Sequence, residues 1–287
     1  MSKLRPTDYD PGFGGGGPRV EYRLALPGLT PMVKRLLIIN AVVWVAGFLY
    51  LYVDPASAEV VQSWLGANAQ QWRELFPFVP FWQLFTHGFL HDNKELFHIL
   101  WNSLLLYFFG TIVEGLVGSN RFLVTYLLAM LSGAALFLLV KTMTGSNAFV
   151  VGASGAIFGV LVAAAAMRPD TQVILIFVPV KLKWLAIGLF AINLVGFLAA
   201  QRTGVSGHVA LEAHIGGAIY GFLAVRQRWI WWDPLRKLEI RRAIAAEERR
   251  QNDAQRVDAL LEKINREGLG ALSQRERDFL KRTADRR

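Results

Sequence analysis

Ser154 stands between glycines in Gly152-Ala153-Ser154-Gly155, inside an uncharged apolar run from Phe149 to Met167, and His214 interrupts a later apolar run at Ala213-His214. A serine hydroxyl is a weak nucleophile until a base takes its proton, and histidine suits that task near neutral pH. Polar side chains at such depth in apolar sequence mark functional sites by default, so the pair points to acyl-transfer chemistry inside a membrane. A tetrahedral intermediate also needs hydrogen-bond donors for its oxyanion. His98 and Asn102, four residues apart and hence on one helix face, supply side-chain donors, and the backbone N–H of Ser154, near a helix N-terminus, is a third. Glu212 lies two residues from His214 on another face, so the expectation is a Ser154–His214 dyad with no carboxylate behind the imidazole. Phe158, one turn below Ser154, offers a surface on which that imidazole can stack.

These residues need helices that cross a bilayer and pack closely. Apolar residues make up 53% of the 287-residue chain and are clustered in runs, which indicates an all-α, polytopic membrane protein. The runs are Leu36 to Val53, Leu96 to Val117, Phe122 to Val140, Phe149 to Met167, Trp184 to Ala200 and Val209 to Val225. The second carries His98, Asn102 and Glu114 and is counted as a span because polar groups can face a bundle interior. Six crossings place both termini on one side. On that side fall 27 of the 31 Lys and Arg residues, and only Arg73, Lys94, Lys141 and Arg202 fall on the other, so the termini are expected in the cytoplasm. The net charge of +9 is then an expression of topology, and no nucleic-acid partner is expected. Membrane lipid is the expected surrounding, and the basic tail could be drawn to anionic headgroups.

In this topology Ser154 and His214 are each the sixth residue of an outside-to-inside span, about 8 Å below its outer start, and His98 lies at a similar level. Gly155 and Gly159 on one helix and Gly217 and Gly221 on another have the small-xxx-small spacing that lets backbones approach, and His214, Gly217 and Gly221 share one face. Glu114 sits toward the inner end of its span and reads as a structural hydrogen-bonding residue between helices. His87 and His91 read as loop histidines. With no third ligand at suitable spacing, no metal and no cofactor is expected, and the absence of cysteine excludes disulfides and thiolate sites.

Three segments organise the chain. Residues 1–32, with Gly14 to Gly17 and no secretory or transit character, read as a flexible cytoplasmic lead-in; a bacterial plasma membrane fits that reading. Residues 33–228 form the membrane domain, whose first loop, Asp54 to Glu95, is aromatic and structured. Val173 to Val180 is too short to span and is expected at the inner interface. Residues 229–287 form a cytoplasmic helical tail: Val257, Leu260, Leu261 and Ile264 make one apolar stripe, and Ser273-Gln274-Arg275-Glu276 is a capping box that starts a second short helix.

Gly152-Ala153-Ser154-Gly155, His98-Ile99-Leu100-Trp101-Asn102, Gly110 through Glu114 to Gly118, and Ala213-His214 with Gly217 and Gly221 together resemble the rhomboid family of intramembrane serine proteases over about residues 33–228. The resemblance implies a six-helix bundle, a Ser154–His214 dyad, His98 and Asn102 at the oxyanion, and cleavage of membrane-spanning substrate proteins near the outer face by water in a hydrophilic cavity. The chain departs from the family pattern in three places: Gln83 follows Trp82 where many members carry arginine, the His91–His98 spacing is slightly longer, and Phe158 replaces a frequent tyrosine. Two other functions are compatible with parts of this pattern. A non-proteolytic relative that binds transmembrane helices would need neither Ser154 nor His214. A transporter would carry polar residues through the whole membrane, whereas here they concentrate in the outer half.

Overall fold

The apolar runs become helices because a backbone removed from water must satisfy its own N–H and C=O groups, and a helix does so within one segment. The computed structural model describes residues 28–175, 178–203 and 210–284. Of the lead-in expected over residues 1–32, all but the last five lie outside the described residues, as does Val209.

In chain order the elements are α1 (Pro31–Val53), α2 (Pro55–Leu65), β1 (Ala67–Asn68), α3 (Ala69–Glu74), α4 (Gln83–Thr86), α5 (Leu96–Leu105), a π-helical turn (Leu106–Gly110), α6 (Thr111–Val117), α7 (Ser119–Met143), β2 (Phe149–Val150), α8 (Ser154–Met167), β3 (Gln172–Leu175), β4 (Val178–Lys181), α9 (Leu182–Thr203), α10 (Leu211–Arg226), α11 (Arg236–Glu267) and α12 (Gln274–Ala284). Short 3₁₀ turns at His87–Phe89, Trp229–Trp231 and Leu269–Ala271 complete the path. The first span begins at Pro31 rather than Leu36, since proline at the first helical position gives up no needed donor. Helix α5, the π turn and α6 run on as one apolar helix, Leu96–Val117, and with α1 and α7 it is long and apolar enough to cross a membrane. The stretches Ser154–Met167 and Leu182–Gly196 are shorter apolar helices.

The expectation that a helix fills Phe149 to Met167 is corrected. Phe149 and Val150 are extended and pair antiparallel with Asn68 and Ala67 of the first loop, and Gly152, at a φ of 128° that side-chain-bearing residues rarely adopt, turns the chain into α8. Ser154 is therefore the first residue of its helix and His214 the fourth of α10, not the sixth of each. Within the short run Val173 to Val180, the described residues belong to β3 and β4, which pair antiparallel.

Helix α8 is the centre of the fold. Of its fourteen residues, all but a few are buried between α7, α10 and the π turn. Glu114 fastens the start of α1: its carboxylate accepts from the backbone N–H of Met32 and of Val33, each at 2.9 Å, and from the hydroxyls of Thr30 and Ser119, each at 2.5 Å. It thereby satisfies N–H groups that the first turn of α1 leaves without intrahelical partners. At the other end of the bundle Lys141, at the end of α7, pairs with Glu212, at the start of α10, at 2.7 Å. This pairing accounts for the carboxylate beside His214 being turned away from it.

The tail forms the expected helical hairpin with one change. Leu260 and Leu272 are buried, Lys263 meets Glu276 at 3.2 Å, and Ser273 and Glu276 close the capping box, with the Ser273 N–H donating at 2.7 Å. Leu261, assigned to the apolar stripe, is instead 53% exposed. One residue on from Leu260 it is turned about 100° round the helix, and the short α12 covers only the Leu260–Ile264 face.

Candidate active site

Two helix starts and one close helix crossing assemble the site. At Ser154 the backbone has just left the Gly152 turn, so the Ser154 N–H belongs to the first turn, whose donors have no intrahelical acceptor. Helix α10 passes α8 at backbone contact distance. A Cβ at Gly155 would lie 3.1 Å from the Ala213 carbonyl oxygen, one at Gly159 would lie 2.8 Å from that of Gly217, and Cβ atoms at Gly217 and Gly221 would strike the carbonyls of Gly155 and Gly159. The four glycines named from their spacing thus form the crossing.

The crossing brings His214 Nε2 to 2.8 Å from Ser154 Oγ. Phe158 stacks on the imidazole with ring centroids 4.2 Å apart and planes 10° from parallel, as expected from its place one turn below Ser154. The other ring nitrogen, Nδ1, lies 2.7 Å from Asn193 Oδ1 on α9. This third member is missed by the sequence reading, which searches for a carboxylate behind the imidazole. The available signal is Asn193 itself, the one polar residue in the run Trp184 to Ala200.

His98 and Asn102 stand across from Gly152 on α5. A Cβ added to Gly152 would lie 2.8 Å from His98 Nε2 and 3.9 Å from Asn102 Nδ2, so this glycine is required both by its φ and by the imidazole against it. The Asp92 N–H donates to His98 Nδ1 at 3.4 Å, which leaves the proton on Nε2, directed toward the Gly152–Ser154 turn. Asn102 Nδ2 donates one N–H to the His98 carbonyl at 3.0 Å and has a second to offer.

The first loop holds this turn from behind. Its strand β1 pairs with β2, Arg73 reaches the Ser146 carbonyl at 2.6 Å and Asn147 Oδ1 at 2.5 Å, and the His87 carbonyl accepts from the Gly152 N–H at 2.9 Å. Gln83, fully buried where the family pattern often has arginine, is the hub. Its Oε1 accepts from the Asn68 N–H and from Trp72 Nε1, each at 3.0 Å, while its Nε2 donates to the Trp64 carbonyl at 3.1 Å and to Gln71 Oε1 at 2.6 Å. An arginine carries donors only. Gln83→Arg is therefore expected to leave the buried Asn68 N–H and the half-buried Trp72 Nε1–H without an acceptor and to cost about 2–4 kcal/mol, with Gln83→Ala similar. Denaturant unfolding of both variants in micelles, beside the wild type, checks this.

His87 and His91 are buried loop residues, neither at the serine. His87 Nδ1 donates to the Gln83 carbonyl at 2.9 Å. Burial pushes the His87 imidazole down to about 4, and burial followed by repulsion from His98 pushes that of His91 down to about 3. A histidine held neutral in the fold but free to protonate when unfolded contributes stability that is complete above pH 6.5 and is lost as pH falls from there toward 4. For His87 the loss reaches about 3 kcal/mol at pH 4. Thermal unfolding between pH 7.5 and 4 is expected to show it, with a shallower slope in His87→Asn, whose amide keeps the donor and does not titrate.

Among the described residues, no group of three or more His, Cys, Asp or Glu side chains is placed to hold a metal ion. The chemistry available is that of a hydroxyl, an imidazole that can take its proton, and donors gathered around one turn.

Comparison with known proteins identifies the family of the chain. Residues 80–229 match the rhomboid domain, and residues 246–286, in the tail, match a family of unknown function, DUF6576. The chain is 33% identical over 143 residues to "Rhomboid protease GluP" of Bacillus subtilis, a stretch covering 50% of this chain and 25% of that protein. It is 32% identical over 145 residues to the rat "Presenilin-associated rhomboid-like protein, mitochondrial", covering 49% and 37%. It is 32% identical over 141 residues to "Rhomboid protein 1, mitochondrial" of Saccharomyces cerevisiae, covering 47% and 39%. The chain thus spans between a quarter and two-fifths of the length of these relatives. The rhomboid domain match takes in α5 through α10, every helix that brings a side chain to the serine, and by that match this chain belongs to the rhomboid family.

Proposed function

We propose that this protein is an intramembrane serine endopeptidase that cleaves transmembrane substrate proteins near the outer membrane face, with Ser154 as nucleophile and His214 as its base. The 2.8 Å approach of Ser154 Oγ to His214 Nε2, on separate helices joined by a glycine crossing, carries this reading. A role confined to binding helices would not need a hydroxyl and an imidazole in proton-transfer contact.

In the proposed reaction Ser154 Oγ attacks the substrate carbonyl carbon as its proton passes to His214 Nε2. The Ser154 N–H, the second Asn102 N–H and His98 Nε2–H receive the oxyanion. Collapse expels the amine, which takes the proton back from His214. Water then attacks the acyl-serine, giving its proton to His214, and the second collapse frees the acid and returns the proton to Ser154.

For the amide to be attacked, the substrate helix must unwind locally, since a helical amide is hydrogen-bonded and shielded. The six apolar helices α1, the joined α5–α6, α7, α8, α9 and α10 are read as six crossings, with residues 33–228 as the membrane domain and residues 229–287 as a tail on the positively charged side with both termini. Several matched relatives are mitochondrial proteins, so the comparisons lend no support to a bacterial plasma membrane.

The testing experiment is cleavage of a single-span fluorogenic substrate by the protein reconstituted in bilayers, with fluorophosphonate labelling read by peptide mass spectrometry. Cleavage together with an adduct on Ser154 is the expected result. An unlabelled serine and an intact substrate would overturn the assignment.

A further inference from the structure

We infer that Asn193 is a positioning residue for His214: it fixes the imidazole in the tautomer that leaves Nε2 free to act as base, making the working unit a Ser154–His214–Asn193 relay. The inference rests on the proposed dyad and extends it to a third helix.

The orientation of the Asn193 amide follows from its other bond. Asn193 Nδ2 donates to the Leu189 carbonyl at 2.8 Å, one turn back on α9. Its Oδ1 is therefore the atom 2.7 Å from His214 Nδ1. An amide oxygen only accepts, so Nδ1 must carry a proton there, and the Nε2 lone pair is left for the Ser154 hydroxyl. When His214 gains the serine proton, the Nδ1–H becomes a donor on a cation, and the bond to Oδ1 strengthens as the transition state is approached.

Burial supports a dedicated role. Asn193 is only 8% exposed, whereas Ile192 and Val195 on the same helix are 69% and 66% exposed. The one polar residue of the run Trp184 to Ala200 is thus turned into the bundle while its apolar neighbours Ile192 and Val195 face outward. A buried amide in an apolar helix is costly unless bonded, and here both its oxygen and its nitrogen are engaged. Phe158 limits tilting of the ring from one face, and Asn193 limits rotation about its axis.

The test uses the full chain with Asn193→Ala and Asn193→Asp, read by substrate kinetics, by the second-order rate of fluorophosphonate labelling at Ser154, and by ¹⁵N-histidine NMR with the His214 signal assigned through His214→Gln. Asn193→Ala is expected to lower kcat and the labelling rate together by about 10- to 100-fold, the effect of losing one charge-assisted hydrogen bond, with KM within about 2-fold. The His214 signal should change from a single Nδ1–H tautomer to a mixture. Asn193→Asp restores the acceptor and should recover activity and tautomer to within about 3-fold, a rescue that simple packing would not give. Asn193→Ala at wild-type labelling rate, or Asn193→Asp as slow as Asn193→Ala with the tautomer unmoved in both, would overturn the positioning role while leaving the dyad standing. A wild-type protein that forms no Ser154 adduct would instead overturn the dyad, and the relay with it.

Discussion

Ser154→Ala and His214→Ala are each expected to reduce cleavage of a transmembrane substrate by at least about 10³-fold, and the double variant to lose no more than either alone. The near-identity of the three losses is the informative part. Ser154 Oγ and His214 Nε2 are 2.8 Å apart and share one proton, so each is useless to the reaction without the other. Groups that act as one unit give non-additive losses, whereas two residues contributing independently to helix binding would give losses that add. Residual activity above background would come from His98, Asn102 and the Ser154 N–H, which remain around the Gly152 turn in all three variants. Folding is not at issue for Ser154→Ala, which removes a half-buried hydroxyl at a helix start without opening the α8–α10 crossing. His214→Ala empties the space beside Phe158, so its thermal unfolding should be recorded with its activity. Single-turnover cleavage in bilayers checks the three rates, and a double variant whose loss approaches the product of the two single losses would sink the shared-proton reading.

Much of this geometry is legible in the sequence, for a physical reason. Helical periodicity is fixed at 3.6 residues per turn, so Gly217, Gly221 and His214 had to share a face, Asn102 had to lie one turn from His98, and Phe158 had to lie one turn from Ser154. Where the helices begin was not legible. Apolar β-branched and aromatic residues serve a strand as well as a buried helix, and only the long-range pairing of Phe149 and Val150 with the first loop decides between them. That pairing shortens α8 and puts the Ser154 N–H in the donor-rich first turn. Asn193 was missed because the bond that defines it is made to a helix 21 positions away in sequence. Gln83 was noticed only as a departure, since its wiring depends on how the Trp64–Trp72 segment folds back over it.

The loop and the tail invert this pattern. The capping box at Ser273 was readable because a cap is local, with both partners three residues apart. The first loop is held by bonds between distant segments, Gln83 to Asn68 and Arg73 to Ser146, and no periodicity announces such contacts. What positions the serine is therefore a combination of two kinds of information: helix faces that spacing reveals, and a clamp, from Gln83 through His87 to Gly152, that only folding creates.

Gly217→Ala, a change of one methyl group, is expected to destabilise the fold by about 1–3 kcal/mol and to lower cleavage by more than about 10-fold, although residue 217 touches neither the hydroxyl nor the imidazole. The methyl would be built into the Gly155 carbonyl, which is backbone and cannot rotate away. Relief requires α10 to withdraw from α8, and α10 has nowhere to go on its other side. There a Cβ at neighbouring Gly216 would already lie 2.6 Å from the Ser132 carbonyl oxygen, and the Ser132 hydroxyl donates to the Gly216 carbonyl at 2.9 Å. A helix held between two backbones must bend or shift along its axis, and either motion lengthens the Ser154–His214 contact. A misplacement of about 1 Å at reacting groups is enough to cost about 100-fold in rate. Gly115→Ala is the control, since a Cβ there meets nothing within 4 Å and should leave stability and cleavage near wild type. Thermal unfolding in micelles and the fluorophosphonate labelling rate at Ser154 read the two effects separately. A Gly217→Ala protein as stable and as reactive as Gly115→Ala would show that α8 and α10 do not need backbone contact to bring the serine and the histidine together.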